Sequence, residues 1–318
     1  RSEHVDVHSF NFSPAGTQER EYGAALARAA GTTHEGHDDG DRIDSHLSIT
    51  IANARVRSTA PVKLLVERPH LIWSGDGGSV TLGHVYLRPA IIARAMAGDV
   101  GGVADAYLEA EHGYVPPRLV RSRVAQRMAA APREGVIAEL ERLKTHDLSQ
   151  TFYLFLMHND QHRHLHRHFE LMDEHRVEFQ LPFFDSEFVA IIASIPIEAR
   201  LYHAFYVTWL KEFPEYVWRT PWQAYPGHVP CPIPSTRPLA YQWDRSVLAA
   251  KRRQIRRTTL RRAMATLAAP RFASAFMKRH VLAIATMLHA SGLRQYDELI
   301  EAAYTMQQHW DVTEPPSS

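Results

Sequence analysis

The stretch LIWSGDGGS, residues 71–79, ends an apolar run at Ser74 and then places three glycines and one acid in the next four positions. A glycine-rich turn after a strand exposes backbone N–H groups, and a following helix adds its positive end, so an anion is favoured there. The same pattern also occurs in simple surface turns. A carboxylate at Asp76, beside an anion-binding loop, is costly unless a cation balances it. Both interpretations stay open at this point.

The segments before this loop alternate between strand and helix patterns. Residues 4–12, HVDVHSFNF, alternate and are rich in Val and Phe, which predicts a strand followed by a Pro-Ala-Gly-Thr turn. Residues 18–30 place apolar side chains at helical spacing and close on Gly31. The next predicted elements are a short strand within 31–39, a helix over 42–56 and a strand over 70–73. Such alternation implies a parallel sheet, which binds ligands beyond the carboxyl ends of its strands, where the SGDGG loop lies.

Helical patterns dominate after about residue 88, and the sequence contains no internal repeat. The predicted helices cover 89–97, 102–111, 116–130, 134–145, 149–172, 185–195, 201–212 and, beyond a proline-rich stretch at 221–238, about 244–308. The expected fold class is therefore α/β, with a small strand–helix portion followed by a larger helical one. The expected division of the chain is 1–95, 96–240 and a C-terminal helical extension at 241–318.

The composition is that of an ordinary globular protein. The 318 residues are 45% hydrophobic and 22% charged, and the net charge of +1 gives no reason to expect a polyanionic partner for the whole chain. Cys231 is the single cysteine, which excludes an internal disulfide framework and fits a reducing compartment. No apolar run approaches the roughly 20 residues that span a bilayer, and the first ten residues are not typical of a signal peptide. We expect a cytoplasmic location.

Four segments in order resemble a known family. SGDGGSVTLGHVY, residues 74–86, is similar to the S-G-[E/D]-G-[G/S]-D-E-x-x-G-G-Y motif of asparagine synthetases and related ATP-dependent amide-forming enzymes. The other three segments are HSFNF with GTQEREYGAALARAAGTTHE at 8–35, HNDQHRHLHRHFE at 158–170 and VEFQLPFFDSEFVAIIASIP at 177–196. The four segments lie in the family's order over about 200 residues. This makes the resemblance more specific than the single loop would be.

The resemblance implies a Rossmann-like fold of the ATP-pyrophosphatase type, incomplete at its N-terminus, with a helical region over the active site. It implies attack of a small-molecule carboxylate on the α-phosphate of ATP, then attack of an amine or ammonia on the acyl-adenylate, with Mg²⁺ offsetting the triphosphate charge. Asp76 matches the acidic position beside the reacting centre. The residues that the resemblance places around the nucleotide are Phe12 near the adenine, and Ser74, Gly75, Gly77 and Gly78 in the loop.

The sequence departs from the family pattern at several positions. The family's primary phosphate loop, S-G-G-x-D-S, and its glutaminase domain would precede residue 1; because the sequence starts with Arg, we expect truncation, and this chain alone is expected to bind ATP poorly. Ser79 replaces the acid associated with the amino group of aspartate, which argues against aspartate as the substrate. Gln180 replaces an arginine, and Pro221 stands at a lysine position. Arg219 and His228 are candidates for the missing cation.

Two further features bear on substrate binding. The segment PWQAYPGHVPCP, residues 221–232, holds Trp222, Tyr225 and His228 in a proline-stiffened stretch that either frames a substrate pocket for sugars or planar groups, or simply connects helices. Similar segments occur in asparagine-synthetase-like proteins associated with surface-polysaccharide clusters. Asp185 is a candidate substrate contact, and its alternative role is an N-cap for the helix that follows.

Other clusters are better explained as structural or solvated. Six histidines lie within 158–175, but no H-E-x-x-H is present and the i+2 spacings spread the rings around a helix, so no metal site is expected. Asp160 and Arg163 are expected to form a structural ion pair. The basic run 251–262 has no interleaved aromatic residue, so no nucleic-acid partner is expected.

The leading hypothesis is ATP-dependent amide-bond formation through an acyl-adenylate. The alternative is a catalytically degenerate nucleotide- or substrate-binding module, which the residues at 79, 180 and 221 motivate. A helical scaffold without a ligand is a third option, against which the SGDGG loop argues. The acceptor, the amine donor and the oligomeric state do not follow from the sequence.

Overall fold

The structure is a computed structural model of the chain. The residues it describes are 7–37, 70–82, 87–110, 116–162, 165, 177–223, 228–234, 238–241 and 245–313. The predicted helix at 42–56 lies outside them.

The described strands form two parallel pairs in a chain that is mostly helical. Strand β1 (His8–Phe12) pairs in parallel with β2 (Thr33–His37), and β3 (His70–Trp73) pairs in parallel with β4 (Val177–Gln180). The strands predicted near 4–12, 31–39 and 70–73 are thereby confirmed over their described residues, whereas β4 carried no strand prediction.

Helix α1 (Gln18–Ala30) makes the crossover that the parallel β1–β2 pair requires. It ends at Gly31, which adopts a left-handed φ of 66° and donates its N–H to the carbonyls of Ala27 and Arg28. A residue with a Cβ is strained in this conformation, so the glycine fixes the helix end and the entry into β2.

The chain divides into two compact units. The first unit consists of residues 1–103 and 140–247, and the second of residues 104–139 and 248–318. The helices of the first unit beyond α1 are α2 (Gly78–Thr81), α3 (Pro89–Met96), α6 (Leu148–Phe155), α7 (Ser186–Ser194), α8 (Ile197–Arg200), α9 (Ala204–Leu210) and α10 (Glu215–Trp218). Helices α4 (Val100–Ala110) and α5 (Ser122–Arg142) each contribute residues to both units.

The second unit is built on α11 (Arg245–Ala268), α12 (Arg279–Ser291) and α13 (Asp297–Thr313). Leu119 belongs to its apolar core, and Val120 forms an antiparallel bridge with Met277. Because this segment packs with the C-terminal helices, the two units do not coincide with a division at residues 95 and 240. The fully buried side chains in the apolar core of the second unit include Leu119, Ala263, Met277, Leu282, Ile300 and Ala303.

Several helix boundaries differ from the sequence expectation. The helices predicted at 116–130 and 134–145 are one helix, α5, which continues through Pro132. The helix predicted from 149 changes to a π-helical turn at Leu156–Gln161. Around Leu201–His203 the chain makes a 3-10 turn in which Tyr202 and His203 have φ of 55° and 68°. Non-glycine residues rarely adopt this conformation, and surrounding structure must hold them there.

Among the described helices, none alone has the length and apolar character to cross a membrane; one bent pair, Ser186–Ser194 with Ile197–Leu210, meets both criteria when its two arms are taken together.

Candidate functional site

The SGDGG loop begins where the parallel strands β3 and β4 end. The Ser74 N–H donates to the Gln180 carbonyl at 3.0 Å, which continues the β3–β4 ladder by one bond. Pro182–Phe184, a 3-10 turn, follows β4 and leads into Asp185. The fold thus brings two of the sequence motifs, SGDGG and PFFD, to the same edge of one strand pair.

Ser74 and Asp76 hold the start of the loop by bonding to each other. The Ser74 hydroxyl donates to Asp76 Oδ2 at 2.6 Å and accepts from the Asp76 N–H at 3.1 Å. The exposed Gly75 lies between them, and its position has no other atom within 4 Å of an added Cβ. The loop backbone at residue 75 is therefore open to an approaching ligand.

Gly77 and Gly78 have a different reason to be glycine. Gly77 has φ of 84°, and a Cβ there would collide with the ring of Phe184. A Cβ on Gly78 would lie 3.0 Å from the ring of Phe183. The two glycines therefore let α2 lie against the aromatic pair that follows β4, and steric packing alone explains them.

Some of the loop's N–H groups bond within the loop and others do not. The Gly78 N–H donates to the Gly75 carbonyl at 3.2 Å, and the N–H groups of Val80 and Thr81 donate to the Gly77 carbonyl at 3.0 and 2.7 Å. Among the described residues, no acceptor contacts the N–H groups of Gly75, Gly77 or Ser79. These three donors are what the loop can offer to an anion.

A buried polar set lies behind α2, and the sequence patterns give no sign of it. The Thr81 hydroxyl donates to the Phe183 carbonyl at 3.3 Å and faces Tyr153 of α6. The Arg200 guanidinium lies 5.1 Å from the centroid of the Tyr153 ring and donates to Gln150 Oε1 at 2.6 Å. Arg200 is 1% exposed, and burial lowers its pKa. Burial also raises the pKa of Tyr153 to about 12, against the opposing influence of Arg200 and Thr81.

The sequence could not single out these residues. Arg200 lies in the stretch PIEARLYHAF, residues 196–205, which mixes apolar and charged residues. In such a stretch a charged side chain is usually exposed to solvent. The burial of Arg200 depends on the packing of α8 against neighbouring elements, which no local pattern encodes.

Asp185 caps α7. Its Oδ1 accepts from the N–H groups of Glu187 and Phe188 at 3.1 and 3.0 Å, which is the N-cap role weighed in the sequence analysis. Its role as a substrate contact stays a prediction. Phe12, predicted to lie near the adenine, is the last residue of β1 and pairs in register with His37.

Arg219 follows the last residue of α10, a helix that packs on α1. Its guanidinium contacts Glu215 at 2.5 Å and lies over the Trp218 ring, 5.4 Å from the centroid. Both side chains of this ion pair are more than half exposed. Such a pair contributes little to stability, so Arg219 is available to exchange Glu215 for another anion.

His228 lies in a cluster with the left-handed residues. Its ring centroid is 4.5 Å from that of His203 and 5.8 Å from that of Tyr202, and the Val229 N–H donates to the Tyr202 carbonyl at 2.8 Å. Burial lowers the pKa of His228. Burial, with a further effect of His228, lowers the pKa of His203 to about 4. At neutral pH these rings are neutral, so His228 can exchange hydrogen bonds there but does not supply a standing positive charge.

The remaining candidates divide between the described and undescribed parts of the chain. Trp222 is half-buried in the extended segment after α10, whereas Tyr225 lies outside the described residues. The described residues contain no group of three or more His, Cys, Asp or Glu side chains placed to hold a metal ion. Of the histidine run, His158 and His162 are described; the others, His164, His166, His168 and His175, are outside this part, as is Arg163. Cys231 is a half-buried free thiol.

Comparison of the chain with protein-family models, with curated proteins and with solved structures finds no match.

Proposed function

We propose that this chain is the synthetase portion of an enzyme that forms an amide bond through an acyl-adenylate, with ATP bound at the SGDGG loop. A carboxylate oxygen of the substrate attacks the α-phosphorus of ATP and pyrophosphate leaves. An amine or ammonia then attacks the acyl carbon, AMP leaves, and the nitrogen loses a proton. On this proposal the two parallel strand pairs belong to a Rossmann-like sheet of the ATP-pyrophosphatase type.

One observation carries the proposal. At the carboxyl ends of a parallel strand pair, the loop leaves three backbone N–H groups without an acceptor in the described part of the chain, and Gly75 leaves its own approach open. Backbone donors at the end of a parallel strand are a recurring way of holding phosphate. The four motif resemblances suggest the chemistry, and these three N–H donors support a phosphate site at this loop.

Of the charged residues near the loop, Arg200 favours an anionic ligand and Asp76 opposes it. Arg200, buried behind α2 without a carboxylate in hydrogen-bond contact among the described residues, adds positive potential on this side of the unit. Asp76 opposes phosphate binding unless a cation lies between them. Mg²⁺ on the triphosphate would supply that cation; Mg²⁺ commonly takes one or two carboxylates plus phosphate oxygens, so the single carboxylate of Asp76 fits this mode.

The substrate is expected to be a carboxylate other than aspartate. Ser79 offers a hydroxyl where an ammonium group would need a carboxylate, and the Ser79 N–H is itself a donor toward anions. Asp185, Trp222 and Tyr225 are the proposed substrate contacts. Arg219 is the proposed cation for the developing charge, and His228 is proposed to bind the substrate or accept a proton.

A second function, a nucleotide-binding module without catalysis, is favoured by the side chains of the loop. The Ser74 hydroxyl and the Asp76 carboxylate bond to each other, so both groups are engaged without a ligand. On this alternative the phosphates still bind to the N–H groups, but no carboxylate is activated.

The two functions separate in one experiment on the full-length protein that contains this sequence. Pyrophosphate release from ATP is measured against a panel of carboxylates and amines, together with equilibrium binding of ATP. Release that depends on a carboxylate supports the enzyme, and Asp76→Asn should abolish it while Asp105→Asn, which removes an exposed ion pair with Arg133, leaves it unchanged. ATP binding without release by any pair of substrates would identify the module. Absence of both would overturn each proposal.

A further inference from the structure

The second unit contains a cavity of about 450 Å³ whose lining is strongly basic. This volume is within the range of small-molecule pockets, about 300 to 1,000 Å³. The lining residues that carry charge or an imidazole are Arg121, Arg271, Lys278, Arg279 and His280, and the lining contains no acidic residue. None of these residues belongs to the SGDGG loop or its flanking motifs.

Two of the positive charges around this cavity are held by neutral partners. Arg121 Nε donates to the Ser274 carbonyl at 2.6 Å. Arg279 donates to the Leu267 carbonyl and lies over the Phe272 ring, 5.4 Å from the centroid. In the described part of the chain, Arg121, Lys278 and Arg279 form no ion pair. Arg121 and Arg279 are therefore fixed in position, and no ion pair among the described residues compensates the three charges.

The start of helix α12 adds to the same field. Lys278 is its N-cap and makes no side-chain capping bond, and the first turn contains no acid. Helix N-termini carry a partial positive charge and favour acidic residues, so Lys278 and Arg279 stand at the end of the helix that disfavours cations. Such an arrangement costs stability unless an anion balances it.

The backbone around the cavity is held by buried contacts. Gln307, 3% exposed, accepts from the Ala273 N–H and donates to the Arg271 carbonyl, each at 3.0 Å. The Lys278 N–H donates to the Leu119 carbonyl at 2.8 Å, and Met277 is fully buried. The backbone that carries the basic side chains is thus ordered before a ligand binds, which lowers the entropy lost on binding.

We propose that this cavity binds a small molecule that carries two or more phosphate charges, such as a diphosphate or triphosphate group. One phosphate or carboxylate group offers at most two charges. The site presents a helix N-terminus and three cationic side chains, Arg121, Lys278 and Arg279, that form no ion pair in the described part of the chain, so an oligophosphate matches it better. Guanidinium forks bind phosphate oxygens in pairs, and Lys278 adds a point charge. The site stands independently of the proposed loop site.

The test is calorimetric titration of tripolyphosphate into the full-length protein and into Lys278→Glu. The Lys278 side chain makes no hydrogen bond or ion pair among the described residues, and a glutamate at this helix end suits the dipole, so the variant should melt no lower than the parent. We expect affinity at this site to fall about tenfold or more, since one charge-assisted contact becomes a repulsion. The matched control is Arg261→Glu, at an exposed position of α11, which makes the same charge change and should alter affinity less than about twofold.

Gly75→Val separates this site from the SGDGG loop. In that background the loop is blocked, and tripolyphosphate binding that remains and responds to Lys278→Glu supports the cavity. Loss of all binding in Gly75→Val alone would overturn the cavity proposal and leave the loop proposal standing. Equal losses in Lys278→Glu and Arg261→Glu would show only general charge attraction and overturn it too. Tighter binding of a single-stranded DNA oligomer, with the same dependence on Lys278, would assign the surface to nucleic acid instead.

Discussion

Gly77 lies directly against the ring of Phe184, and at a φ of 84° it leaves no space for a Cβ between its backbone and that ring. This contact joins the loop after β3 to the turn after β4. Gly77→Ala should therefore lose stability, by about 2 kcal/mol or more, because the left-handed backbone is strained and the ring must move. Urea unfolding of the variant and parent gives the difference in the free energy of unfolding.

Two comparisons isolate the cause. Gly75→Ala, with open space at its Cβ, should change the free energy of unfolding by less than about 1 kcal/mol. In a Phe184→Ala background, Gly77→Ala should cost less than in the parent, because only the backbone strain remains. An equal cost in both backgrounds would show that the ring contact is not responsible.

Gly75→Val tests the loop as a phosphate site. A branched side chain at this exposed position should leave the fold intact and cover the N–H groups that face the proposed phosphates. We expect ATP affinity of the full-length protein to fall about tenfold or more, which equilibrium binding of a fluorescent ATP analogue measures. The matched control is Gly135→Val, because an added Cβ at this glycine also meets no atom within 4 Å. Gly98 has similar space but is unsuitable, since its φ of 70° would strain a valine.

The sequence predicted the elements that depend on local signals and missed those that depend on packing. The turn at Gly16, the end of α1 at Gly31 and the strand before Ser74 follow from glycine placement and apolar patterns. Strand β4 was missed because a strand of four residues carries little periodicity, and its pairing with β3 is a contact over more than 100 residues of sequence. The left-handed Tyr202 and His203 could not be predicted, since positive φ is uncommon for any non-glycine residue and the sequence here contains no glycine.

The residues of the SGDGG loop also divide into features that local sequence predicts and features that depend on packing. The glycines of the loop marked its position, but the sequence could not reveal that Gly77 and Gly78 serve the contacts with Phe184 and Phe183. The basic cavity was hidden for a related reason. Arg121 is about 150 residues from Lys278 in the chain, and long-range contacts such as the bridge between Val120 and Met277 bring their segments together.

The buried Arg200 depends on Gln150. Gln150→Leu removes the acceptor of a guanidinium that is 1% exposed, and leaves a desolvated cation beside the Tyr153 ring without that hydrogen bond. We expect a loss of about 2 to 4 kcal/mol in the free energy of unfolding. Adding Arg200→Met should restore part of that loss, because an apolar side chain needs no acceptor. Urea unfolding of the two single variants and the double variant measures the coupling; additive losses would mean that the contact between the two side chains does not matter.

The cluster of His203 and His228 should make the stability of the protein depend on pH. Burial lowers the pKa of His203 from 6.5 to about 4 and also lowers that of His228, so the unfolded chain binds more protons than the folded one between these values. Stability is therefore complete above pH 6.5 and is lost as the pH falls towards 4. From His203 alone we expect the free energy of unfolding to be about 2 kcal/mol lower at pH 5 than at pH 8.

His203→Asn is the variant that tests this dependence, because asparagine does not titrate and tolerates the left-handed backbone at residue 203. Urea unfolding at pH 5 and pH 8 should show a smaller difference in the variant than in the parent. His146→Gln, at an exposed histidine, serves as the control and should keep the parent's difference. If His203→Asn kept the full difference between the two pH values, the acid sensitivity would belong to other groups, and the neutral state assigned to this buried pair would be wrong.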